Sequence, residues 1–292
     1  MKIGEIIDNK QRSLSFEFFP PKDEPGETQL FENIHRLETL QPTFVSVTYG
    51  AGGGTLKNTH NIIERILRET SLNPMPHLTC IDQSKTELRR ILKDYRSLGV
   101  DNVLALRGDP PKGTDKFVAP KKGFCHANDM VALAVAVGGF SIGVAVYPEG
   151  HMESPDPETD MYYTRMKIEA GADFGITQMF FDNRFYYDFM ERAAKAGIHI
   201  PIIPGIMPIT DVGRIKRFSQ RCGAALPDYV EKRFEKVTTP QDGKKVGIEL
   251  ATEMCADLLK NDVFYFHFYT LNQSDFVLEV VKNLGLQEFG GK

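Results

Sequence analysis

Ser15-Phe16-Glu17-Phe18-Phe19-Pro20-Pro21 is a short aromatic run with one carboxylate at its centre. Apolar residues on both sides of Glu17 predict a strand covered on both faces, as in the parallel sheet of an α/β protein. An ionised carboxylate is costly to bury there, so Glu17 calls for a partner, a water-lined site or a raised pKa. Pro20 and Pro21 withdraw two backbone donors and end the strand. Glu17 is thereby placed near the rim, where strand passes into loop. Taken alone, such a residue can equally tie a helix or loop to the sheet.

Outward from this strand, strand-like and helix-like segments alternate to the end of the chain. Leu30, Ile34 and Leu37 recur at helical spacing up to Pro42, Thr43–Tyr49 reads as strand two, and Gly50-Ala51-Gly52-Gly53-Gly54 forms its loop. The next helix carries Leu56, Ile62, Ile63, Ile66 and Leu67 on one face, and Met75–Cys80 is strand three. Ser84-Lys85-Thr86-Glu87 matches a capping box ahead of an apolar stripe that stops at Gly99. Asn102–Leu106 is strand four, and the Lys-, Gly- and Pro-rich loop after it, to His126, is long enough to suggest function. Asn128 is placed to cap the following helix, and Ser141–Tyr147 is strand five. Asp156-Pro157 reads as an N-cap with proline at the first helical position. Phe174–Phe180 and Ile200–Ile206 are strands six and seven, and Thr210 caps a helix carrying Val212, Ile215 and Phe218. Ala225–Asn261 forms two extra helices about a polar turn, Pro240-Gln241-Asp242-Gly243, before the last strand, Val263–Tyr269, and an amphipathic final helix. Eight βα units with short connections and no linker predict one domain, residues 1–292, folded as a (β/α)8 TIM barrel. A doubly wound sheet would carry GxGxxG between its first strand and helix, and none stands there.

Composition narrows the function classes. Net charge is −4 with no basic block, which argues against nucleic acid. Met1-Lys2-Ile3-Gly4-Glu5 does not open a secretory signal. The uncharged run Met130–Pro148 is long enough for a membrane span. Gly138-Gly139 divide it, however, into an Ala/Val helix and a β-branched strand, so no membrane partner is expected. The four cysteines are scattered without CxxC and the seven histidines without HExxH. This pattern predicts reduced thiols, a cytoplasmic setting and no metal site.

In a barrel the active site lies at the C-terminal ends of the strands. Glu17, Thr48, His77, Arg107, Asp109, Tyr147, His151, Gln178 and His267 fall there, a ring of polar residues on otherwise apolar strands. Each has a plainer alternative. Asp109 and Arg107 can close a turn as a surface pair, and His77 and His151 can be structural. Gln178 can cross-link strands, and Lys167 can be a solvated helix residue. The Gly50–Gly54 loop can cradle a phosphate or simply turn the chain.

Phe16-Glu17-Phe18-Phe19-Pro20-Pro21, Val45-Ser46-Val47-Thr48-Tyr49-Gly50, Pro76-His77-Leu78-Thr79-Cys80 and Ala105-Leu106-Arg107-Gly108-Asp109 together resemble the methylenetetrahydrofolate reductase family. Ile176-Thr177-Gln178, Pro204-Gly205-Ile206 and His267-Phe268-Tyr269-Thr270-Leu271-Asn272 continue the resemblance in order along nearly the whole chain. It implies a flavin-binding TIM barrel in which NADH or NADPH reduces FAD, leaves, and gives way to methylenetetrahydrofolate. By the same resemblance Glu17 is the acid that protonates the departing folate nitrogen, kept protonated by burial. Asp109 orients the pterin and tunes the flavin, and Gln178 contacts whichever substrate is present. Thr48, His77, Arg107, Gly108, Asp109, Tyr147, His151, Asp160 and Lys167 line the FAD site, with Thr48 also near substrate. Arg107 and Lys167 suit a pyrophosphate through charge-assisted bonds. A homo-oligomer is also expected.

Three positions depart from the family pattern. Val212 stands where some members have a phenylalanine at the nicotinamide and folate contact. Tyr163 replaces an asparagine of the FAD site, and Gln273 an arginine thought to meet the folate tail. These departures leave room for electrons arriving from a partner protein. Two further readings compete. A hydrolase with Glu17 and Asp109 as its carboxylate pair predicts no flavin and an aromatic, often Trp-containing sugar cleft, and the chain has no Trp. A non-catalytic subunit predicts loss of the acid, yet Glu17 is intact.

Overall fold

Inward and outward residues alternate along eight parallel staves, and that alternation decides what each end of the barrel contains. The strands are β1 (Ser13–Phe18), β2 (Phe44–Val47), β3 (Pro74–Thr79), β4 (Asn102–Leu106), β5 (Ser141–Val146), β6 (Phe174–Thr177), β7 (Ile202–Ile203), β8 (Gly205–Ile206) and β9 (Tyr265–Tyr269). The computed structural model describes residues 1–8, 12–49, 55–109, 117–118 and 120–286. The expected glycine loop, Gly50 to Gly54, and Pro110-Pro111 lie outside the described residues.

Every strand pairing is parallel, in the order β7-β6-β5-β4-β3-β2-β1-β9-β8. The two ends of that order are one interrupted stave. β7 pairs with β6, β8 pairs with β9, and only Pro204 separates them. Pro204 has no N–H to give a ladder, but its carbonyl accepts from His267 N at 3.0 Å. The sheet therefore closes on itself as the expected (β/α)8 barrel.

The surrounding helices follow the strands in sequence. They are α2 (Glu24–Glu38), α3 (Thr55–Glu69), α4 (Lys85–Ser97), α5 (Ala127–Val137), α6 (Pro157–Glu169), α7 (Asn183–Lys195), α8 (Val212–Cys222) and α11 (Ser274–Asn283). Two more, α9 (Asp228–Phe234) and α10 (Pro240–Lys260), fill the expected extra segment before the last strand. Phe16, Phe18, Val45, Val47 and Val103 point outward from the strands into the main core, against Leu30, Ile34 and Leu92 of the helices. The run Met130–Pro148 is a helix followed by a strand, and no described helix is long and apolar enough to cross a membrane.

Most local signals hold in the structure, and three differ. The Ser84 capping box forms, and Asp156 caps α6 with Pro157 behind it. The cap of α5 is His126, not Asn128, which lies inside the first turn. The cap of α8 is Asp211, whose carboxylate accepts from Arg214 N at 2.8 Å, not Thr210. Pro240–Gly243 is no turn but the first turn of α10, begun by a capping box between Thr239 and Asp242.

A short helix that sequence reading missed, α1 (Ile3–Asp8), plugs the N-terminal end of the barrel. Ile3 and Ile7 pack with the lowest inward residues, including Phe44, Met75, Leu104 and Phe174. Its first amides are satisfied by the strand starts: Ile3 N donates to Asn102 Oδ1 at 2.8 Å and Gly4 N to Ser141 Oγ at 3.0 Å. The apolar floor and the plug leave the opposite mouth as the open end.

Candidate active site

Moving two residues up β2 and β3 replaces the apolar floor with polar groups. Phe44 gives way to Ser46 and Met75 to His77, and on β1 Glu17 stands two residues above Ser15. Glu17 and His77 line a cavity of about 330 Å³ at the C-terminal mouth, with Thr48, Gln178 and Tyr269. Glu17 lies opposite Ser46 and Tyr269 across the parallel register. Its side chain is 19% exposed, and its Oε2 is 3.4 Å from both His77 Nε2 and His267 Nε2. Ser46 Oγ approaches the same oxygen at 3.5 Å.

Two imidazoles against one carboxylate decide its ionisation. Burial pushes the Glu17 carboxyl up, but His77 and His267 outweigh it and hold the group below its ordinary range. The expectation that burial alone keeps Glu17 protonated is therefore corrected. Burial pushes His77 down, and the Glu17 charge offsets that only in part. The phenol of Tyr269 is driven well up by burial, and its hydroxyl donates to Thr177 O at 2.6 Å.

Asp109 and Gly108 lie at the rim of this chamber. Gly108 has φ +88, and a Cβ there would fall 2.6 Å from Ile81 Cδ1, so the turn requires glycine. Asp109 is exposed, and the surface pair with Arg107 does not form. The Arg107 guanidinium instead makes a two-point ion pair with Glu153, on the loop after β5, and stands over the Phe117 ring. Gln178 Oε1 accepts from Met179 N at 2.9 Å rather than from a facing strand.

A second chamber of about 250 Å³ adjoins the first and shares Arg107, Tyr147 and His151 with it. Asp160, Tyr163 and Lys167, all from α6, line its far wall. Lys167 is not a solvated helix residue: its amine donates to Ala145 O at 2.6 Å, and burial lowers its pKa to about 8. Asp160 is buried, with Oδ1 accepting from His151 N and Ser154 Oγ at 3.0 Å each. Its Oδ2 is buried without a partner. Burial, and then the Arg107 charge, lower the His151 pKa.

Eleven expected site residues therefore gather along one continuous cleft, nine lining the first chamber and Asp160 and Lys167 only the second. Of the departures, Tyr163 lines the second chamber, whereas Val212 packs against the apolar cluster that includes Ile209 and Met179, and Gln273 is the exposed cap of α11. Sequence reading did not single out Tyr269 or Glu153. Tyr269 was legible as the inward residue two after His267. Glu153 had no signal, since only the folded loop brings it to Arg107.

The methylenetetrahydrofolate reductase family model matches residues 2–285. The 5,10-methylenetetrahydrofolate reductases of Salmonella typhimurium and Escherichia coli are each 40% identical over 278 residues, covering 95% of this chain and 92% of theirs. Arabidopsis thaliana methylenetetrahydrofolate reductase (NADH) 1 is 38% identical over 297 residues, 98% of this chain and 50% of its own. Among solved structures, a Clostridium thermocellum protein described as binding two copies of 5-methyl-5,6,7,8-tetrahydrofolic acid superposes with TM-score 0.64 at 14% identity, covering 98% of this chain and 99% of that one. An oxaloacetate acetylhydrolase superposes with TM-score 0.53 at 12% identity, covering 95% and 81%. Such identities speak for the barrel alone, but the sequence relatives go further: the chain belongs to the methylenetetrahydrofolate reductase family of oxidoreductases.

Proposed function

We propose that the protein reduces 5,10-methylenetetrahydrofolate to 5-methyltetrahydrofolate with FAD as bound cofactor and NADH or NADPH as reductant, in alternating half-reactions. The observation that carries this reading is Glu17 Oε2 against two imidazoles, in a chamber that opens onto a second, cationic one. The residues fit the cofactor. Arg107 and Lys167 are suited to a diphosphate, and the partnerless Asp160 Oδ2 is a buried acceptor in want of a hydroxyl. Flavin, when bound, supplies the two-electron chemistry that no side chain can.

The protein supplies the rest. The folate's five-membered ring must open to an electrophilic iminium, which requires a proton on the departing nitrogen. Glu17 delivers it, a contribution of about 10²- to 10⁴-fold for a positioned acid. Asp109 at the rim offers a carboxylate to the pterin's N–H donors, and Gln178 an amide to either substrate. Thr48 borders the same space.

The test is the visible spectrum of the purified protein, followed anaerobically as NADH and then NADPH are added, and then methylenetetrahydrofolate. The expected result is a flavin spectrum bleached by a nucleotide and restored by the folate. Bound flavin that neither nucleotide bleaches would instead assign reduction to a partner protein. In Glu17→Gln, nucleotide should still bleach the flavin and folate should no longer restore it. The reverse pattern would remove Glu17 from its role.

A further inference from the structure

The ladder between β6 and β7 stops at Ile176 and Ile203, where the interrupted stave leaves β6 and continues as β8 on β9. Gly175 N donates to Pro201 O at 2.9 Å. Two residues further up, a continuing parallel ladder would have Gly205 N donate to Thr177 O. Gly205 N goes to the Thr177 hydroxyl at 2.8 Å, and the Thr177 carbonyl takes the Tyr269 hydroxyl at 2.6 Å. Tyr269 thus reaches from β9 across the broken stave to β6. It passes directly over Gly205, where a Cβ would fall 2.6 Å from both the Tyr269 hydroxyl oxygen and Thr177 O.

The carbonyl that Tyr269 holds belongs to the peptide between Thr177 and Gln178. The N–H of that same peptide donates to Val146 O at 2.7 Å, so the plane is fixed from β9 on one side and from β5 on the other. The Gln178 side chain leaves this plane into the first chamber, and its amide oxygen accepts from Met179 N at 2.9 Å. With that oxygen engaged, the group Gln178 turns to a ligand is its NH2, a donor.

We propose that Tyr269 is a positioning residue for Gln178: its hydroxyl replaces the ladder bond lost at the break in the wall and aims the Gln178 amide as a donor into the chamber. The inference rests on the reductase reading above, in which Gln178 meets either substrate. Tyr269 therefore acts on the binding of both substrates, and the proton transfer from Glu17 and the holding of FAD do not depend on its hydroxyl.

Tyr269→Phe keeps the ring that lies edge-on to His267 and removes only the hydroxyl. Stopped flow follows both half-reactions, and fluorescence titration gives FAD affinity. The apparent dissociation constants of methylenetetrahydrofolate and of the nucleotide that bleaches the flavin should both rise about 3- to 10-fold, the range of one neutral hydrogen bond. Limiting rates and FAD affinity should stay within about twofold, the pattern of lost binding and not of lost chemistry. The pH dependence of flavin reoxidation should not move. In a Gln178→Ala background Tyr269→Phe should add nothing, since it acts through the side chain already removed. Additive losses, a moved pH profile or weakened FAD binding would overturn the assignment. Gly205→Ala, which pushes the phenol aside, should reproduce the pattern with Tyr269 intact; should it fail to fold, Tyr269→Phe carries the test. The second measurement is ¹⁵N NMR of glutamine-labelled, flavin-free protein. The side-chain NH2 signals of Gln178, assigned by their loss in Gln178→Ala, should shift toward those of free glutamine in Tyr269→Phe. Unshifted signals would overturn the proposal whatever the enzyme's activity. If the unsubstituted protein carries out neither half-reaction, the reductase reading fails, while the NMR result still decides whether Tyr269 holds Gln178.

Discussion

Replacing Lys167 by Met separates what the buried amine costs the fold from what it gives the site. Burial lowers the amine's pKa from the ordinary 10.5 to about 8, with Asp160 opposing the fall. A shift of that size corresponds to about 3 kcal/mol of penalty on the charged form. Because the folded pKa lies below the unfolded one, the unfolded chain binds more protons between about pH 8 and 10.5, and stability rises with pH across that window. Below pH 8 the whole penalty is present, and above 10.5 none remains. Methionine keeps the apolar stem, removes the charge and leaves Ala145 O without its 2.6 Å donor, a loss of about 1 kcal/mol. The flavin-free variant should therefore be about 2 kcal/mol more stable at pH 7 and lack Lys167's share of the alkaline rise. FAD affinity should move the other way, down about 10- to 100-fold, for loss of a charge-assisted bond. Urea denaturation at pH 7 and 10, set beside fluorescence titration with FAD, measures both. An identical pH dependence in the two proteins would refute the desolvation argument. Unchanged FAD affinity would remove Lys167 from the phosphate site.

Glu153→Gln frees Arg107 from its ion pair, and since Glu153 is 51% exposed the pair is worth about 1 kcal/mol or less. FAD should bind up to about fivefold tighter by the same titration, and weaker binding would show that Glu153 assists the cofactor instead. Gly247→Ala would set a Cβ 1.8 Å from Ile209 O, where α10 crosses the loop after β8, and should cost about 3 kcal/mol or more in urea denaturation. Ile3→Ala empties part of the barrel plug and should cost about 2–5 kcal/mol, with FAD affinity unchanged because α1 lies at the opposite end.

The barrel was legible because its signals are local and repeated. A strand such as Asn102–Leu106 declares itself by composition, a helix such as α4 by its capping box and stripe, and eight repeats of the pair leave few architectures. The polar ring was legible for the same reason, since inward residues occur at alternate positions and the mouth is where strands end. Partnerships were not legible. Arg107 stands two residues from Asp109 but pairs with Glu153, because a loop folds across the mouth from the next unit. Lys167 reads as a surface residue of α6 until the helix is docked, when its amine meets Ala145 of the preceding strand. The ionisation of Glu17 depends on β3 and β9, from opposite halves of the chain, and burial of that one residue gave the wrong sign.

The division of the cleft matters to the chemistry as much as its contents do. An acid of the kind proposed for Glu17 would be poorly placed against an arginine or a lysine, since at short range either would favour the carboxylate. Here the charges that act on Glu17 are the two histidines, and neither Arg107 nor Lys167 is among them. The amine of Lys167 lies over the Tyr147 ring at 5.6 Å, with that ring at the boundary both chambers share. Tyr147 thus stands between the Lys167 amine and the chamber that holds Glu17. Histidines, unlike arginine or lysine, can give up their charge as the proton leaves. That property would make them compatible neighbours for the acid proposed here.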